Sequence, residues 1–233
     1  MLTKRYFSYR SVSVATWGLH IRVTERLLQI FTPLDCESFI VGNIAPDCGK
    51  PNEDWSKFDP PSNVTHWKDE NKNIEASLFC RKYLSSYTNN LEYSFLLGYY
   101  THLLTDIEWF SYIDSIKEHN EHYHRLEKEP EFIWTIKKDW YDLDHLYFRN
   151  NPKCIFWTIF RHITKFPDYL DYLPSGAIID RIKYITDFYG DPPENLDRKY
   201  KYLTMNEMEI FLKSTIDILS DKINIIHEKF KKG

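Results

Sequence analysis

The sequence predicts a single all-α domain, and three observations carry that prediction. Apolar residues recur at three- and four-residue spacing in several separate segments. Capping residues stand at the starts of these segments, and no segment alternates apolar and polar residues as a half-buried strand would. At 233 residues the chain is long enough for one substantial core, and 17% aromatic content suits a core built from large rings. Seven glycines are too few for a Gly-rich phosphate loop or a many-turned β architecture.

Residues 1–13, MLTKRYFSYRSVS, carry no amphipathic repeat and are expected to form a peripheral N-terminal extension. The helical domain is then 14–233, with Val14-Ala-Thr-Trp17 resembling a native beginning read from a valine start codon. Thr16 is a candidate N-cap for a helix that places His20, Val23, Thr24, Leu27 and Leu28 on one face and is closed by Pro33. Residues 39–63, with Pro46, Gly49, Pro51, Pro60 and Pro61, read as loop. Helices are expected over about 74–87 and 91–113, whereas 117–129, KEHNEHYHRLEKE, reads as an exposed connection or helix end. Helical patterns resume at about 131–149, 152–165, 175–189 and 204–231, the last opening on the capping box Thr204-Met-Asn-Glu207.

A net charge of −4 argues against a nucleic-acid surface held by bulk electrostatics, so no stable nucleic-acid partner is expected. No apolar run approaches the roughly 18 residues that cross a bilayer. The longest such run is Cys154–Phe160. No apolar segment follows Lys4, Arg5 and Arg10 as a secretory signal would require. Cys36, Cys48, Cys80 and Cys154 show no CxxC spacing, and free thiols in a reducing cytoplasm are the expectation.

The stretch FLLGYYTHLLTDIEWF, residues 95–110, places His102 and Asp106 four residues apart on an apolar helix face. An ionised carboxylate buried there needs a partner or a cation. A hydrogen-bonded core pair and a metal site both satisfy that need. Three more residues of ligand type lie on other segments. His20 is on the apolar face of the first helix, Asp47 follows Gly42-Asn-Ile-Ala-Pro46, and His66 lies in Asn63-Val-Thr-His-Trp67. Singly they read as a core histidine, a turn residue and an exposed histidine. Together, imidazoles and carboxylates are ligands that suit zinc.

Trp17-Gly-Leu-His20, the Gly42-Asn-Ile-Ala-Pro-Asp47 loop, Thr65-His66 and Gly98-Tyr-Tyr-Thr-His-Leu-Leu-Thr-Asp106 stand in the order found in the zinc-dependent phospholipase C family. The resemblance covers roughly Trp17 to Trp109 and is to the family's signal-less bacterial members. It implies an α-helical bundle with a zinc cluster in a surface cleft. His20 would bind one zinc, Asp47, His66 and His102 a second, and Asp106 would bridge the two. Asp47 would also orient or deprotonate the attacking water. The sequence departs from the family in two places. Secreted members ligate zinc through an N-terminal Trp, whereas Trp17 is internal. A later His-xxx-Glu pair that serves another zinc is missing. His119, His122 and His124 sit in a charged, solvated setting, and Asp142 and Asp144 read as helix surface. One or two zinc ions are therefore expected, with a third unsupported.

The resemblance implies a metal-dependent hydrolase of a small phosphodiester or phosphomonoester. Two alternatives stay open: a non-catalytic zinc-stabilised helical domain for binding or assembly, and nuclease-like activity on nucleotides or single-stranded nucleic acid. The oligomeric state is not legible. Deleting residues 2–13 is expected to leave the melting temperature and zinc content unchanged, as calorimetry and metal analysis will measure. A drop of several degrees would make the segment integral to the fold.

Overall fold

A computed structural model describes residues 14–54, 56–85 and 89–231, and the residues of the expected N-terminal extension lie outside that set. The described residues form ten α-helices: α1 Trp17–Ile30, α2 Cys36–Ile44, α3 Ser62–Thr65, α4 Ala76–Tyr83, α5 Asn90–His119, α6 Glu121–His124, α7 Ile133–Asn150, α8 Ile155–Thr158, α9 Ala177–Gly190 and α10 Met205–Lys231. The all-α expectation holds. The strand content is one antiparallel ladder of two residues a side, β1 Lys50–Pro51 against β2 Phe58–Asp59. None of the four cysteines is in a disulfide.

The helix starts follow from the capping residues. The Thr16 hydroxyl accepts from the Leu19 amide at 3.2 Å, and Asn89 accepts from Glu92 at 3.0 Å. Glu207 and Thr204 cap each other at the start of α10. α5 is the axis of the molecule. Every residue from Tyr93 to Asp106 is buried, so this stretch of the helix is enclosed on all sides. Rings fill the space around it: Trp109 meets Trp140 and Phe211 edge to face, each at 4.9 Å between centroids.

Four expectations are corrected. Residues 39–44 are not loop but belong to the helix Cys36–Ile44. Asp35 caps it, accepting from the Ser38 amide at 2.7 Å, and it stays hidden from periodicity because Ser38–Ile44 are all buried. Residues 152–165 hold only the single-turn α8 and a 3-10 turn at Phe160–His162. Within the polar stretch 117–129, Tyr123 and Leu126 turn inward and are 1% and 3% exposed. Asp142 and Asp144 are not on a helix surface: both are buried, because α7 is covered on that side by the segment around Arg198 and by α9.

α2 and α5 touch backbone to backbone. A Cβ on Gly42 would fall on the Phe95 carbonyl, and one on Gly98 would fall on the Phe39 carbonyl and Asn43 nitrogen. Gly42→Ala is expected to lower stability by about 2 kcal/mol or more, because the helix-propensity gain of roughly 1 kcal/mol is smaller than the cost of separating two packed backbones. Urea unfolding tests this, and unchanged stability would contradict the close approach.

A candidate metal centre

The five ligand-type residues arrive from four segments. α1 supplies His20, the 3-10 turn Ala45–Asp47 after α2 supplies Asp47, His66 caps the C-terminus of α3, and α5 supplies His102 and Asp106. The structure brings all five together. His20, His102 and Asp106 have no solvent exposure, and His66 has 3%. Asp47 stands at the edge, its side chain 16% exposed.

The two oxygens of Asp106 face different neighbours. Oδ1 is 3.5 Å from His20 Nε2, whereas Oδ2 is 3.6 Å from both His66 Nε2 and His102 Nε2. His66 Nε2 also lies 3.3 Å from Asp47 Oδ1. The His20 and His102 rings stack at 3.8 Å between centroids. Ligand atoms within 4.8 Å of one another form two groups, His20–His102–Asp106 and Asp47–His66–His102, with His102 common to both.

Hydrogen bonding decides which way His102 is protonated. Its Nδ1 lies 2.7 Å from the Asn43 backbone oxygen. A carbonyl only accepts, so Nδ1 carries the hydrogen and Nε2 presents a lone pair to the centre. Nδ1 of His66 is engaged by the Thr65 hydroxyl at 3.0 Å, leaving its Nε2 directed at His102 Nε2, 3.3 Å away. Among the described residues, Asp106 Oδ2 and both ring nitrogens of His20 have no hydrogen-bond partner. Burial lowers the His102 pKa to about 3, favouring the neutral ligand form. Burial would raise Asp106, but the surrounding imidazoles outweigh it and hold the carboxyl at about 2. Asp47 lies well below the usual carboxylate range for the same reason: burial is opposed by His66 and His102. Three imidazoles, two ionised carboxylates and orphaned buried polar atoms together form a donor set that fits a zinc-type dication.

The chain entering α1 also reaches the centre. The Ala15 amide donates to Asp106 Oδ1 at 3.1 Å, so the backbone nitrogen at the site belongs to Ala15 and not to Trp17. A cleft of about 200 Å³ opens beside Asp47 and His66, walled by Trp17, Phe58, Tyr141 and Arg181. Arg181 donates to the Gly49 carbonyl at 3.0 Å and lies over the rings of Trp17, Phe58 and Tyr184.

Other candidates stay apart from the centre. His119 and His124 are exposed, and His122 packs on the edge of Tyr202. Asp142 is held by Lys138 and Arg198 at 2.6 and 2.5 Å. Asp144 accepts from the Tyr189 hydroxyl at 2.9 Å, and burial raises its pKa to about 6. Sequence reasoning missed Lys137, which is 4% exposed and on which the charges of Asp47 and Asp106 act. Its position gave a signal: with Ile133, Ile136 and Trp140 it falls on the apolar face of α7.

Among known proteins, the sequence model described as zinc dependent phospholipase C matches residues 19–149, more than half of the chain. No curated protein and no solved structure matches the chain.

Zinc at a hundredfold excess over its dissociation constant is expected to add about 2.7 kcal/mol to the chelator-stripped protein. For a chain of this size that is a rise of about 5–10 °C in melting temperature. An unmoved transition would contradict the metal centre.

Proposed function

The chain belongs to the zinc-dependent phospholipase C family, and on that premise we propose that it is a zinc-dependent hydrolase of phosphate esters. His20, Asp47, His66, His102 and Asp106 would hold one or two zinc ions. The observation that carries this reading is Asp106, a fully buried carboxylate with Oδ2 unpartnered, ringed by three imidazoles beside an open cleft.

Zinc bound here would polarise the phosphoryl group and acidify a water toward neutral pH. The protein's own side chains do the rest. Asp106 directs one oxygen to each half of the cluster, the orientation of a bridging ligand. The Asn43 carbonyl fixes the His102 ring by accepting from Nδ1, which makes Nε2 a better donor. Asp47 lies at the mouth of the cleft, where it would accept a hydrogen bond from the attacking water. A carboxylate held this acidic is a weak base, so its role is to orient that water more than to carry the proton away. A cleft of about 200 Å³ suits a small phosphate ester or the head group of a lipid.

The complete burial of His20, His102 and Asp106 favours a second reading for that half of the site: a metal there staples α1 to α5 and supports the fold. The two readings separate in one experiment. Asp106→Asn keeps the shape of the side chain and removes the charge that holds dications together. Zinc content is expected to fall by at least one equivalent, and hydrolysis of nitrophenyl phosphate esters by more than about a hundredfold. His102→Gln should do the same. Loss of zinc and stability in the variants, from a wild type that hydrolyses none of these esters, would favour the stapling role, and full zinc retention in both variants would contradict the ligand assignment.

A further inference from the structure

Arg181, on α9, walls the same cleft as Asp47 and His66. It is buried, and its Nη2 donates to the Gly49 carbonyl at 3.0 Å. Gly49 stands two residues after Asp47, so the guanidinium is tied to the segment that carries that carboxylate. The ring centres of Trp17, Phe58 and Tyr184 lie 5.7, 5.8 and 5.7 Å from the guanidinium carbon. Gly49 itself is tightly placed. A Cβ there would lie 2.7 Å from the Pro60 carbonyl oxygen and 3.2 Å from the Phe58 Cβ, and this close approach keeps Phe58 in the wall.

Among the described residues that wall the cleft, Arg181 is the one permanent cation and Asp47 the one carboxylate. A carbonyl has no net charge, so the bond to Gly49 fixes the guanidinium without cancelling its charge. A clamp on a backbone carbonyl needs only a neutral donor, and burying a charge to make one is costly. The charge therefore answers to something other than Gly49. Asp47 is a candidate metal ligand, and with metal bound its charge is taken up by the ion. The cleft then sets a fixed cation beside a metal centre. That pairing suits a group with several anionic oxygens, some for the metal and some for the guanidinium fork.

We propose that Arg181 binds the phosphoryl oxygens of the substrate from the wall of the cleft, as its buried and aromatic-flanked guanidinium lines the same cavity as Asp47 and His66. The proposal rests on the phosphate-ester reading above and deepens it by naming a residue that recognises the phosphoryl group. Rings around the guanidinium hold it in place, and a wall of low polarity strengthens its pull on an anion. The chemistry recognised is the phosphoryl oxygen itself, whether on a soluble ester or a lipid head group. Arg181 neither ligates metal nor transfers a proton.

Zinc-loaded wild type, Arg181→Gln and Arg181→Lys are titrated by calorimetry with inorganic phosphate and with dimethyl phosphate. The first presents the phosphoryl group as a soluble monoester does, the second as the diester of a lipid does. Zinc content and thermal melting are measured on each protein, and all three should carry the same zinc. With whichever probe the wild type binds, Arg181→Gln should weaken binding by at least about tenfold. Arg181→Lys keeps the charge and loses the fork, and should weaken it by about threefold or more. It also keeps a donor for the Gly49 carbonyl, so it decides the matter if Arg181→Gln does not fold. A folded, zinc-replete Arg181→Gln that binds within about twofold of wild type overturns the proposal, as does unchanged binding by Arg181→Lys where the other variant does not fold. Loss of a zinc equivalent from Arg181→Lys also overturns it, making the residue a support for the segment that carries Asp47. If wild type binds neither probe, the phosphate-ester reading fails with it. If wild type and variants bind alike, only the role of Arg181 fails.

Discussion

A carboxylate with no solvent exposure is costly unless a positive charge accompanies it, and the design of this molecule centres on that constraint at Asp106. One oxygen receives the Ala15 amide, and the other receives no donor. The imidazoles nearest to it favour its ionised form. His102 is driven neutral by burial and points a lone pair inward, toward His66 Nε2 at 3.3 Å. A dication placed among these nitrogens and oxygens would be coordinated by them.

The scaffold supports this arrangement at close range. Contact between the backbones of α2 and α5, made possible by Gly42 and Gly98, brings the Asn43 carbonyl within reach of His102. Asn43 Nδ2 also donates to the Thr101 hydroxyl at 2.7 Å, one residue before His102 on α5. Tyr99 bonds the Thr65 carbonyl and so anchors the turn that carries His66. The glycines, the fixed tautomer and the placement of the second histidine are parts of one device. A substitution in α2 that never touches the centre would therefore reach it through the His102 ring.

Much of this was legible in the sequence. The i, i+4 pair His102 and Asp106 lies in a stretch of helix rich in apolar residues, and the capping signals at Thr16 and Thr204 mark true helix starts. The geometry places all five ligand-type residues in one cluster. α2 was not legible, because a short helix buried on every side has no polar face and so no periodicity to read. The burial of Asp142 and Asp144 depends on Arg198 and Tyr189, residues some fifty positions away, and local pattern carries no trace of such partners. Lys137 could have been found: a lysine within the apolar stripe of a helix is a buried cation in want of an anion. The Ala15 amide could not, since a backbone donor leaves no mark in the side-chain pattern.

Zinc K-edge X-ray absorption on the native-purified protein tests the central claim most directly, because it reads the ligand atoms without relying on activity. The account predicts nitrogen and oxygen neighbours at about 2.0–2.1 Å, with the outer-shell scattering of several imidazoles. Where two ions are present, a metal–metal distance of about 3.5–4 Å should also appear. Sulfur neighbours at about 2.3 Å would place the metal on the cysteines, and a shell of water oxygens without imidazole scattering would place it on the surface. Either spectrum would contradict the centre built on His20, Asp47, His66, His102 and Asp106.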